Sequence, residues 1–251
     1  MRRLSPLIVS ACAALIAATT LAVAQEGLEM LPECDAIFAE DFEDGMDGWW
    51  VEGGERVWVE DGRLHVRADP PEGSDAPYVA TVWHERPFEG DLKIEYDAHV
   101  ISSSAGVNNI NFFFYYSYPG DRTLFDTREE RADADYAKYH ELPGYIVTFL
   151  KDTREESLAL PADEQPARVR IRRCPGFHLL DETYQYHCRT GRTYHCQIVK
   201  RGDQVTFSVD GNALLTATDD LGEPHTRGLI GLRTFRTNLW WDNIRISRFR
   251  E

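Results

Sequence analysis

Past its first 24 residues, the 251-residue chain has no apolar run that could serve as a bilayer span, which needs about 20 residues. It has no Gly-x-Ser-x-Gly elbow, phosphate loop, dinucleotide fingerprint or His-Glu-x-x-His, so esterase, kinase, dehydrogenase and zincin chemistry fall away. It has no Cys-x-x-Cys pair for a zinc site. Positive charge is in deficit: 27 Lys and Arg face 42 Asp and Glu, a net charge of −15. A phosphate-tracking surface needs clustered cations, so nucleic acid is excluded as a partner. No internal repeat and no Pro/Gly/Ser-rich linker marks a boundary. What remains is a chain with 43% hydrophobic and 12% aromatic residues, enough for one buried core.

The charge is unevenly spread. Residues 26–164 carry a balance of −22, and residues 165–251 a balance of +5. A locally basic third within an acidic protein requires a reason.

Residues 1–24 read as an export signal, because Arg2 and Arg3 precede the apolar run Leu7 to Val23, which ends in Ala22-Val23-Ala24. Cleavage after Ala24 leaves a single domain, residues 25–251, in the periplasm or outside the cell, with no membrane association. The four cysteines left, Cys34, Cys174, Cys188 and Cys196, predict two disulfides in an oxidising compartment, with the pairing open.

The dominant periodicity is two. Val57-Trp58-Val59 and Arg63 to Arg67 flank Asp61-Gly62, and Val205 to Val209 and Ala213 to Thr218 flank Asp210-Gly211; both read as hairpins. Further strands are predicted at Tyr78 to Trp83, Leu92 to Val100, Ile110 to Tyr116, Tyr145 to Leu150, Ala167 to Arg172, Tyr194 to Val199, Leu229 to Phe235 and Leu239 to Ile246. The best helical candidate is Arg128 to His140. About a dozen short strands with so little helix predict an all-β sandwich or jelly roll.

Phe38 to Glu43, Val57 to Leu64, Val82-Trp83, Phe88 to Leu92, Gly228 to Arg233 and Asp242 to Ile246 resemble strands of concanavalin A-like lectin/glucanase domains in bacterial polysaccharide-utilisation proteins. Tyr139-His140 through Tyr145, with Arg172 to Leu179, is similar to the YesU-type branch of that superfamily. The resemblance implies a concanavalin A-like jelly-roll sandwich of two antiparallel sheets and a polysaccharide or oligosaccharide partner, with the site on the concave sheet. It also makes a structural calcium ion conceivable, with Asp41, Glu43, Asp44, Asp47 and Asp242 as oxygen donors; no cofactor is otherwise required.

Three side-chain groups could carry chemistry. Glu95, Asp97 and His99 share one face of a strand, an imitation of the glucanase carboxylate pair that reads better as a solvent-facing row. Arg168, Arg170 and Arg172 alternate with Val169 and Ile171, so three guanidiniums share a face and offer planar donor forks to a carboxylate or sulfate; the alternative is a solvated face paired with nearby acids. Tyr136, Tyr139, His140 and Tyr145 cluster in sequence, with His84 and His178 further off. They suit proton removal beside a uronate carboxylate: Tyr139 or His140 as base, Tyr145 as acid, Arg170 and Arg172 as neutralisers. Trp83, His84, His178 and Arg233 are candidate sugar contacts. The reading is a carbohydrate-active protein acting by β-elimination or hydrolysis on an acidic polysaccharide; the alternative is a lectin-like domain without catalysis.

Overall fold

The computed structural model of the chain describes residues 33–250; the expected export signal, residues 1–24, lies outside them. Among these residues, sixteen strands form two antiparallel sheets. The first sheet runs β14 (Asn212–Thr218), β13 (Gln204–Val209), β12 (Thr193–Arg201), β7 (Leu92–Ser102), β16 (Asn238–Phe249), β4 (Arg63–Arg67), β3 (Arg56–Glu60), with β1 (Cys34–Glu40) also paired to β16. The second runs β11 (His178–Thr183), β10 (Ala167–Cys174), β9 (Gly144–Lys151), β8 (Ile110–Tyr116), β15 (Arg227–Phe235), β5 (Val79–His84), β2 (Trp49–Gly53), with β6 (Phe88–Glu89) added to β15. This is the expected all-β jelly-roll sandwich.

Both hairpins form where expected. Asp61 (φ +51°) and Gly62 (φ +63°) turn between Glu60 and Arg63, and Asp210 (φ +49°) and Gly211 (φ +79°) turn between Val209 and Asn212. Positive φ at both central residues gives the turn whose twist matches the strands it joins. Alternation then assigns the faces. Ile94, Tyr96 and Ala98 of β7, Val147 and Phe149 of β9 and Val169 and Ile171 of β10 fill the inter-sheet core. Each such large apolar side chain contributes roughly 1.5–3 kcal/mol on burial.

The second sheet has an unusual outer face. Trp83, Phe113, Tyr116, Ile146 and Cys174 point away from the main core, yet are buried in a second apolar cluster. They are covered by the connection between β8 and β9, whose Leu124, Tyr139 and Leu142 complete the cluster. Gly231 makes room for this layer, since a Cβ there would meet the Trp83 ring at 2.6 Å.

That connection holds the helical candidate, which is broken in two: a 3₁₀ turn, Arg128–Arg131, and α1, Tyr136–His140. Ala134 between them has φ +53°, a left-handed conformation no continuous helix accommodates. Asp135 caps α1 by accepting from the Ala137 N–H at 3.1 Å.

The two expected disulfides do not form, and all four cysteines are free thiols. Cys174 lies in the outer cluster and Cys34 starts β1, away from Cys188 and Cys196, which lie near each other between the sheets as free thiols.

Candidate functional site

Strand β10 builds the site. Val169 and Ile171 anchor it in the core, which turns Arg168, Arg170 and Arg172 onto the outer face. The three differ in environment. Arg168 is ion-paired, its Nη2 2.8 Å from a Glu182 carboxylate oxygen. Arg172 is buried, its guanidinium 4.4 Å above the Phe177 ring, with Nε and Nη1 unpartnered. Arg170 is half-buried with an unpartnered Nε. Burial first, then repulsion from Arg172 and Arg168, pushes its pKa down to about 10. Arg170 is still a cation at neutral pH, but one partly stripped of water with no carboxylate in hydrogen-bond contact, Glu182 acting on it only at a distance. A buried cation in that condition costs free energy that an anion would recover.

The segment over the sheet is fixed by a single carboxylate. Glu52 of β2 is buried and accepts from Tyr139 Oη at 2.5 Å, Trp83 Nε1 at 2.9 Å, Arg131 Nη2 at 2.9 Å and Trp50 Nε1 at 3.4 Å. Arg233 of β15 ties the same segment down from below. It donates to Thr81 Oγ1 at 2.7 Å and the Ala134 carbonyl at 3.0 Å, and its guanidinium lies 4.5 Å from the Tyr136 ring centre.

Between this segment and β10 opens a cleft of about 470 Å³. Asn109, Asn111, Thr148, Arg168, Arg170 and Arg233 line it together with Asp135 and Tyr136. Asn109 Oδ1 is buried without a partner. Tyr136 feels the positive field of Arg233, Arg172 and Arg170, although burial outweighs them and its pKa rises. The cleft thus sets the free donors of Arg170, two carboxamides, one phenol and the Asp135 carboxylate on an apolar lining of Val79, Val107, Leu150 and Phe235, a set suited to an acidic, hydroxyl-rich ligand.

The expected site residues are partly dispersed. Arg170 and Arg233 line the cleft, with Arg172 next along the strand. Tyr139 and Trp83 are committed to Glu52 inside the covering layer. His140 stacks on Phe177 at 3.6 Å between ring centres; burial, then the Arg233 and Arg172 charges, lowers its pKa. Tyr145 and His84 point the other way. Tyr145 belongs to the inter-sheet core and donates to Asp219, because odd positions of β9 face inward. His84 packs on Phe38 and Trp49 on the inner side of β5. His178 is exposed on edge strand β11.

The Glu95, Asp97, His99 row lies on the outer face of the first sheet, on the other side of the sandwich. Its members are half-buried and each is engaged by a neighbour: Lys93 with Glu95 at 2.9 Å, His195 Nδ1 with Asp97 at 2.8 Å, and His99 stacked on Trp240 at 5.0 Å. The calcium donors do not converge. Among the described residues, no three of His, Cys, Asp or Glu form a group that could hold a metal ion.

Sequence reasoning missed Asn109, Asn111 and Asp135 as site residues, and Glu52 as their support. The signal for Asn111 was present: it is a polar residue on the outward phase of an otherwise apolar aromatic strand.

Residues 75–244 match the family model described as a domain of unknown function, DUF6250. The chain belongs to the DUF6250 family. That match takes in β10, the covering segment and most of the cleft. No curated protein matches the chain. Among solved structures, a protein of unknown function with a galectin-like fold from Bacillus subtilis superposes at TM-score 0.71 and 17% identity, covering 88% of this chain and 100% of that one. The carbohydrate-binding module CBM66 from Bacillus subtilis gives TM-score 0.52 at 15% identity, covering 79% and 94%. An endo-β-1,3-glucanase from Pyrococcus furiosus gives TM-score 0.54 at 13% identity, covering 88% and 96%. At these identities the likeness is one of fold: this DUF6250 member is a β-sandwich with a galectin-like fold.

Proposed function

We propose that the chain is an exported carbohydrate-binding domain whose cleft on the outer face of the second sheet holds an acidic saccharide. The observation that carries this reading is the pair Arg170 and Arg172, whose partly desolvated guanidiniums have unpartnered N–H groups, the nearby Glu182 being ion-paired with Arg168 and acting on them only at a distance. A uronate carboxylate or a sulfate would take those donors as charge-assisted hydrogen bonds. The carboxamides of Asn109 and Asn111 would meet ring hydroxyls, and Tyr136 would pack beside the sugar. The fold likeness to a carbohydrate-binding module and a glucanase, and the resemblance of the central block to the YesU-type branch, support a saccharide over other anions.

A second reading, cleavage by β-elimination, is favoured by one observation: Tyr136 stands among Arg233, Arg172 and Arg170. In its phenolate form, which the three arginines favour and burial opposes, Tyr136 would take the proton next to a neutralised carboxylate and pass it to the leaving oxygen as the C–O bond breaks. Tyr139 and Tyr145 are engaged elsewhere, so this chemistry would rest on Tyr136 alone.

The test is a panel of uronate polysaccharides run in affinity gels and in parallel digests, following reducing ends and absorbance of an unsaturated product. Retardation that weakens with added salt, with both digest channels silent, is the expected result. Product absorbance lost in Tyr136→Phe would establish the second reading. No retardation and no product would sink both.

A further inference from the structure

The covering segment leaves a second cleft on its other side, also about 470 Å³, over β2, β8 and β15. This cleft differs from the first in its aromatic side chains and in having no unpaired cation. Trp50, Tyr118, Phe125 and Leu229 supply aromatic and apolar surface. Phe125 is 45% exposed and meets the Trp50 ring edge-on at 5.4 Å. Trp50 is in turn stacked on the buried Trp83, so the surface it offers is rigid.

The cations at this cleft are already neutralised. Arg122 Nη2 lies 2.6 Å from a Glu130 oxygen, and Arg227 Nε lies 3.6 Å from a Glu89 oxygen. Tyr118 Oη also donates to Glu130 at 3.1 Å. The rim therefore presents two paired arginines and the carboxylate of Glu85 around an aromatic floor, with no unpaired cation that requires an anion. An aromatic floor takes the C–H face of a pyranose, and a paired polar rim takes its hydroxyls.

We propose that this aromatic cleft is a second saccharide site that takes a neutral sugar ring. Placed on the same sheet face as the cationic cleft, it would extend recognition from an acidic residue to a neutral one. In that respect the inference rests on the saccharide reading above, and the two are separable by choice of probe.

The experiment titrates the intact chain with two probes, a neutral hexaose (cello-, manno- and laminarihexaose in turn) and a galacturonate trimer, by calorimetry, since no tryptophan lines the cationic cleft to report on the trimer. A neutral hexaose is expected to bind. Phe125→Ala should weaken it about tenfold, equivalent to about 1.4 kcal/mol, while Phe125→Trp retains it and Arg170→Gln leaves it unchanged. The trimer should show the reverse dependence. Binding of the trimer but of no neutral hexaose overturns the aromatic site and leaves the cationic one standing. Hexaose binding indifferent to Phe125→Ala also overturns it. Hexaose binding lost in Phe125→Ala, with no trimer binding, upholds the aromatic site and sinks the cationic reading. Silence with both probes overturns both.

Discussion

Arg131 Nη2 lies 2.9 Å from Glu52 Oε1, with both side chains at most 3% exposed. The pair joins the covering segment to strand β2, and Tyr139 and Trp83 converge on the same carboxylate. Removing one member of a buried pair strands the other charge, which typically costs about 3–5 kcal/mol. Glu52→Gln should lose roughly that much in urea denaturation. It should also weaken saccharide binding, because the segment that carries Tyr136 is released from the sheet. A Glu52→Gln protein with unchanged midpoint and affinity would refute this role.

Arg170 should behave in the opposite sense. Its guanidinium has no carboxylate partner, so Arg170→Met removes a desolvated cation and supplies apolar volume. The melting temperature should hold or rise, while retardation by uronate polysaccharide falls at least about tenfold, the loss expected for a charged hydrogen-bonding group. Arg168→Met should lose its Glu182 pair with a smaller effect on binding.

Three tyrosines that sit close together in the sequence should separate in function. Tyr145→Phe removes the hydroxyl that donates to Asp219 and accepts from the His225 N–H; it should cost about 1–2 kcal/mol of stability and leave saccharide affinity intact. Tyr139→Phe should resemble a mild Glu52 variant. Tyr136→Phe should be nearly neutral in stability and weaken binding. Melting curves and affinity gels on the three proteins decide the matter.

Stability should fall on mild acidification. His65, His84, His99, His140, His187 and His225 all have pKa values lowered below 6.5, with burial the largest cause in each. The unfolded chain therefore takes up protons first, near pH 6.5. The stability these groups confer is present above that pH and is lost as pH falls through their folded values. A melting temperature that drops steadily from pH 7 to pH 5 is the expected result; a flat profile would contradict it.

The sandwich was legible because alternation is a local property. Val169 and Ile171 declare a strand and its inward face, and with them the shared face of Arg168, Arg170 and Arg172. The hairpins were legible because Asp-Gly admits positive φ at two successive positions. The site was only half legible, because proximity in sequence says nothing about which face of a strand a neighbour occupies. Tyr139 and Tyr145 are six positions apart, yet one lies above the second sheet and the other beneath it. Glu52 could not be found at all: an acidic residue in a short strand looks solvated until Arg131, 79 positions later, is folded onto it.

The free thiols have a practical meaning. Among the described residues, Cys174, Cys188 and Cys196 are buried and only Cys34 is partly accessible. The thiolate form that alkylating reagents attack is suppressed in apolar surroundings, and burial raises the pKa of all three inner cysteines. A maleimide dye applied to the folded domain should therefore attach at one point, the start of β1 in the first sheet. That position sits in the opposite layer from both clefts, which makes it a ready handle for immobilising the protein with the face that carries them free.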